Sequence, residues 1–194
     1  MNLAFLLRRV ARRARAHPMV RHMRAHGRSG SASLEFALVA PTFFILLMGI
    51  METGILFFAQ SALQNSVQDA ARLVRTGQDQ TTGMSQSAFR TKVCSEISPL
   101  LGCTSALQID MRTFADFTAA NDASPLVGGN LDPSLTQYNP GTACQVVLVR
   151  AFYVWPVVTP LLTPFLVNMN GNAHLLTGSA AFRNEPYVTT SGGC

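Results

Sequence analysis

Two glutamates, Glu35 and Glu52, interrupt a stretch that is otherwise apolar from Leu34 to Ala59. An ionised carboxylate at the centre of a bilayer costs a few kcal/mol or more, so acids placed there face protein or water. The chemistry open to them is pairing or protonation. On a helix they stand about 26 Å apart and roughly 100° apart around the axis, so one partner surface need not hold both. Glu35 sits at the mouth of the apolar run, where simple contact with water is the alternative. Glu52 is protonated, near the outer interface, or paired with another helix.

Four cysteines, Cys94, Cys103, Cys144 and Cys194, all follow the apolar run. An even number on one side fits two disulfides in an oxidising compartment. A zinc site is the rival, but there is no Cys-x-x-Cys pair, and His174 is the only histidine beyond the N-terminal segment. A hydrolytic base would have to be His174, which reads as a turn or edge residue beside a strand. Glu96, Asp110 and Asp116 read as solvated carboxylates. With no phosphate loop, dinucleotide glycine pattern or helical metal-ligand pair, the residues point away from an enzyme, and from a cofactor, metal or small-molecule substrate.

The element that positions the two glutamates is a helix. Phe36 to Ala59 would cover about 36 Å against a hydrocarbon core of about 30 Å. Pro41 frees one carbonyl near its start, which membrane helices tolerate. Beyond Ala59 the pattern turns polar but keeps its period, with Leu63, Val67, Ala70 and Val74 on one stripe. Gly77 is a natural stop, so one helix is expected from Leu34 to Thr76. Ahead of it, residues 1–30 hold eight arginines and no acid, while the rest of the chain holds seven basic and ten acidic groups. Such a leader suits nucleic acid or anionic lipid, but arginines just before an apolar span hold that end in the cytoplasm. No nucleic-acid fold signature appears. Topology is therefore the reading, with residues 78–194 periplasmic. Leu3 to Val10 has the makings of a short surface helix.

The junction runs Arg28-Ser29-Gly30-Ser31-Ala32-Ser33-Leu34-Glu35-Phe36. A basic leader, a glycine, four small or apolar residues, a glutamate and an apolar helix resemble a class III, type IV pilin-like signal. More specifically, the run from Glu35 to Pro41, Gly49 with Glu52, and the tail with Leu63, Gln64, Ala70, Ala71 and Arg72 resemble the TadE-like family. Val149-Arg150 leading to Trp155-Pro156, and the run from Ala180 to Pro186, are also similar to it. The resemblance implies cleavage after Gly30 by a membrane prepilin peptidase, leaving Ser31 as the new N-terminus. Glu35 would become the fifth residue, where the family's glutamate is thought to neutralise the α-amine of a neighbouring subunit. It further implies a minor pseudopilin of a tight-adherence pilus system, single-pass in the bacterial inner membrane and working with other pilin subunits and the assembly platform. An uncleaved, signal-anchored periplasmic scaffold of the same machine is the alternative. A tethered binding protein or enzyme would need a ligand site that the sequence does not offer.

The remaining sequence reads as an α+β domain. A Gln/Thr/Gly linker to about Ser85 precedes an amphipathic helix with Phe89, Val93, Ile97 and Leu100 on one side, ended by Pro99 and Gly102. Leu107, Ile109 and Met111 alternate with Gln108, Asp110 and Arg112 as in a half-exposed strand. Residues 114–141 are turn-rich and predict a long loop. Gln145 to Trp155 is apolar on both faces, as a central strand would be, and Leu175 to Arg183 is a third strand. If these last two are antiparallel neighbours, the tail can carry Cys194 to Cys144, while the Pro99–Gly102 turn brings Cys94 to Cys103. The expected architecture is pilin-like: a long membrane helix, amphipathic in its second half, packed on a small antiparallel sheet. Trp155 to Leu166 is apolar, but Pro156, Pro160 and Pro164 forbid an ordinary helix or central strand. It reads first as a buried loop covering the sheet, with an exposed contact for another subunit or the bilayer surface as the alternative.

Overall fold

The computed structural model describes residues 29–97, 102, 106–120 and 123–187. The arginine leader with its Leu3–Val10 segment, Pro99, Leu100, Cys103 and the tail with Cys194 lie outside them. The chain divides into two compact units, residues 1–44 and 45–194.

The described part of the first unit is helical, the beginning of α1 (Ser29–Arg75). Ser29 to Ser33, ahead of the expected start at Leu34, are already helical. The serines of the added turn bond locally, as short polar side chains do: Ser33 Oγ donates to the Gly30 carbonyl (3.3 Å) and Ser31 Oγ to the Glu35 carboxylate (3.4 Å). Pro41 lies inside α1. The large side chains here, among them Leu34, Phe36, Leu38, Phe43 and Phe44, are exposed.

In the second unit α1 continues from Ile45. Leu56, Ala59, Leu63, Val67, Ala70 and Val74 are buried, the three-and-four spacing of one helix face. They lie in one core with Leu107, Ile109, Met111, Val147, Val149, Ala151 and Leu176. Each large aliphatic residue in such a core contributes about 1.5–3 kcal/mol. By length and composition α1 is apolar enough to cross a membrane.

Gly77 follows α1 with φ +78°, a left-handed conformation that ends the helix. A side chain there would also meet the Tyr187 ring, 2.2 Å from a Cβ. The expected linker carries a short helix, α2 (Gln78–Thr82), and then α3 (Gln86–Ile97) buries Phe89, Val93 and Ile97. What orders α2 is tertiary. Asp79 is buried and accepts the Tyr138 hydroxyl at 2.8 Å, and its Oδ2 has no partner. Burial pushes the Asp79 carboxyl above its ordinary value of 3.8, against the opposing effect of the Tyr138 bond, and burial beside Asp79 likewise raises the Tyr138 phenol. A carboxyl raised in the fold contributes stability that is full below its ordinary value and is lost as pH rises through the raised one. Asp79→Asn keeps an acceptor for Tyr138 without the charge. Its melting temperature in detergent should exceed that of the parent at neutral pH, with the gap closing as pH falls below 3.8.

Three strands make the sheet, in the order β1 (Leu107–Phe114), β4 (Val146–Pro156), β5 (Ala173–Arg183), both pairings antiparallel. β4 is central, as its two apolar faces require, and Val146 lies opposite Arg183. The turn-rich segment between β1 and β4 holds a two-stranded ribbon, β2 (Leu126–Val127) and β3 (Asn130–Leu131). Leu126, Leu131 and Leu135 from that segment pack with Phe152 and Leu175 on the sheet face away from α1.

That cover overturns one expectation. Asp110 is not a solvated carboxylate: it is 1% exposed and holds the Arg150 guanidinium, 3% exposed, at 2.8 Å. It also accepts Arg112 Nε and the Gln137 N–H. Glu96 and Asp116 are different. Glu96 pairs with Lys92 one helical turn away, and Asp116 accepts the Ala119 N–H in an exposed turn. Asp116 also accepts the Thr118 hydroxyl, and this bond first, with the Ala119 N–H second, holds its carboxyl below the usual range.

Candidate functional site

The residues that the sequence offered as a processing signal stand in the first described turns of α1. Gly30, Ser31 and Glu35 are all exposed. Among the described residues outside its own turn, nothing lies within 4 Å of where a Gly30 Cβ would be. Among the described residues, the Ser31 hydroxyl is the hydrogen-bond partner of Glu35.

Glu52 is held within the second unit, by a partner that sequence reasoning missed. Its two carboxylate oxygens accept the backbone N–H groups of Val158 (2.6 Å) and Thr159 (2.8 Å). Such charge-assisted bonds are about twice as strong as neutral ones. The partner is therefore not another helix but the proline-rich segment that follows β4. Gly49, one turn earlier on α1, meets Leu162 of the same segment. Beyond Val158 the segment forms a 3-10 turn (Pro160–Leu162) and α4 (Thr163–Leu166). It is not the buried cover that its apolar composition suggested. Val158, Leu161 and Phe165 are 78%, 56% and 82% exposed, and Val157 is buried beneath them. His174 contacts the Leu166 carbonyl through Nδ1 and is half-buried at the start of β5.

A second grip lies above Glu52. Gln60 and Gln64 each present a side-chain amide to the free edge of β5. Gln60 donates to the Thr177 carbonyl (2.8 Å) and accepts the Thr177 N–H (3.2 Å). Gln64 does the same with Ser179, at 2.9 and 3.0 Å. The fit is one of pitch: four residues of helix rise about 6.0 Å and two residues of strand about 6.8 Å. The legible signal was a glutamine pair one turn apart flanking the apolar stripe. Of the cysteines, Cys94 and Cys144 are described, and neither is a free thiol.

Comparison with curated proteins and with solved structures finds no match. A family model does match: residues 30–72 fit that of the TadE-like protein family, a family of pilus structural and assembly components. The matched segment holds Gly30, Ser31, Glu35, Glu52, Gln60 and Gln64, and ends before β4 and β5. Residues 30–72, which make up most of α1, are thus similar to the TadE-like family.

Proposed function

We propose that the chain is a minor pseudopilin-like component of a tight-adherence pilus biogenesis system, anchored in the bacterial inner membrane and cut after Gly30 by a prepilin peptidase. In this reading residues 1–30 are a basic cytoplasmic leader, 31–77 the membrane and amphipathic helix, and 78–194 a periplasmic domain. The observation that carries it is the family match, which begins at Gly30 and runs through an apolar helix bearing Glu35. After cleavage Glu35 is the fifth residue, placed to meet the α-amine of a neighbouring pilin subunit. The periplasm is oxidising, which suits the pairs Cys94–Cys103 and Cys144–Cys194.

One observation favours the uncleaved, signal-anchored scaffold as the second reading: the Gly30–Ser31 bond lies within α1 and is helical. Mass spectrometry of the membrane-extracted protein from native cells decides between the two. A mature chain beginning at Ser31 is expected, with Gly30→Val retaining residues 1–30. An intact Met1 start in cells that hold the peptidase would leave the scaffold. A non-reducing digest of the same sample should yield the two named cysteine pairs, and a Cys103–Cys144 link would break that part of the reading.

A further inference from the structure

We propose that the proline-rich segment from Val158 to Leu166 is a second membrane contact, immersed beside α1 in the leaflet nearest the sheet domain and covered by lipid acyl chains. The inference rests on the reading that α1 crosses the bilayer.

Depth is the first argument. The segment is tied to α1 at Gly49 and Glu52, and the apolar stretch continues to Ala59, about 10 Å further along the helix. Ile55, Phe57 and Phe58 are exposed on α1 and lie closer to the domain than Glu52 does. A bilayer that covers those three side chains covers the segment as well. The exposed apolar face of the helix and that of the segment are therefore continuous.

The chemistry of the segment agrees. From Trp155 to Asn168 there is no charged residue. Val158, Leu161 and Phe165 project outward, and Ile45, Leu46, Ile50, Leu161 and Leu162 line an apolar cleft of about 300 Å³ between segment and helix. A cleft with so few polar groups suits a hydrocarbon chain.

The backbone supplies the third argument. Irregular chain at membrane depth is tolerated only where its polar groups find partners. Pro160 and Pro164 have no N–H to satisfy. Val157 donates to the Asn172 carbonyl, Val158 and Thr159 donate to Glu52, and Leu162 donates to Thr159. Thr163 donates to Pro160 and Val167 to Thr163. Six N–H groups of this stretch are thus engaged within the protein. Glu52 thus acts as a positioning residue, spending its charge on two amides that would otherwise face hydrocarbon.

The test uses the full chain in phosphatidylethanolamine/phosphatidylglycerol vesicles whose acyl chains carry bromine, a fluorescence quencher. Trp155 is the single tryptophan, so Trp155→Phe gives a dark background. In it, Phe165→Trp reports the segment, with Leu161→Trp as a repeat. Phe44→Trp reports α1, and Phe117→Trp reports the end of the sheet remote from Pro156. At low protein-to-lipid ratio the Phe165→Trp emission should shift to the blue and lose at least roughly half its intensity, as the Phe44→Trp emission does, while Phe117→Trp stays unquenched. Quenching at Phe44→Trp without quenching at Phe165→Trp or Leu161→Trp would overturn the proposal and leave α1 spanning. A blue shift at Phe165→Trp that appears only at high protein density, without quenching, would overturn it in favour of a second copy of the chain. An unquenched Phe44→Trp would refute the spanning reading, and the proposal with it.

Discussion

Gly178→Val is expected to destabilise the sheet domain by about 3 kcal/mol, the upper end of the cost of overpacking a core. Gly178 of β5 faces Leu63 and Val67 of α1. A Cβ there would stand 3.1 Å from the Leu63 carbonyl and 3.0 Å from Val67 Cγ2. The first of these is helix backbone, which cannot swing aside as a side chain can. The branched side chain would lift α1 from the strand and stretch the Gln60 and Gln64 bonds on either side. Thermal unfolding in detergent, followed by circular dichroism, measures the loss. Gly54→Ala is the control, because nothing lies within 4 Å of its Cβ position. Equal melting temperatures for Gly178→Val and the parent would mean that α1 does not pack here.

Asp110→Ala should cost about 3–5 kcal/mol, because it strands a buried guanidinium. Arg150 is held at 2.8 Å by Asp110, donates to the Ala123 carbonyl and lies over the Phe152 ring, 5.5 Å from its centroid. Neither of the last two partners carries a compensating charge. Replacing both members, Asp110→Leu with Arg150→Met, should recover most of the loss, since apolar groups of similar volume often match a buried ion pair. Denaturant unfolding of the two single variants and the double variant gives the coupling directly. Additive losses would show that the pair is not coupled, contrary to its geometry.

Much of this arrangement was legible in the sequence where one periodicity acted alone. The stripe Leu63, Val67, Ala70, Val74 announced the packed half of α1, and the two apolar faces of residues 145–155 announced a central strand. The hidden parts depended on distant chain. Asp110 occupies an outward position by alternation, and only the cover built from Leu126, Leu131 and Leu135 makes that position an interior one. α2 is five residues long and stands where composition suggested a linker, fixed by a hydrogen bond to Tyr138. β5 begins at Ala173, earlier than its composition suggested; Gly178, Ser179 and Ala180 are weak strand formers, and their smallness is what admits the helix. Glu52 found its partners in backbone amides 106 and 107 residues away, which no side-chain pattern reveals. For the processing signal the order was reversed: spacing and resemblance pointed to Gly30 and Glu35, and the geometry adds that their turn is helical.

The two glutamine grips on β5 have a counterpart on the opposite edge. There Gln137 accepts the Met111 N–H, Asn139 donates to the Met111 carbonyl, and Gln86 donates to that of Ile109. Backbone groups that an open sheet would offer to a visiting strand are thus engaged on both flanks. Lending or borrowing a strand is closed to this chain along these stretches. A contact made along these edges has to be built through side chains rather than through strand pairing.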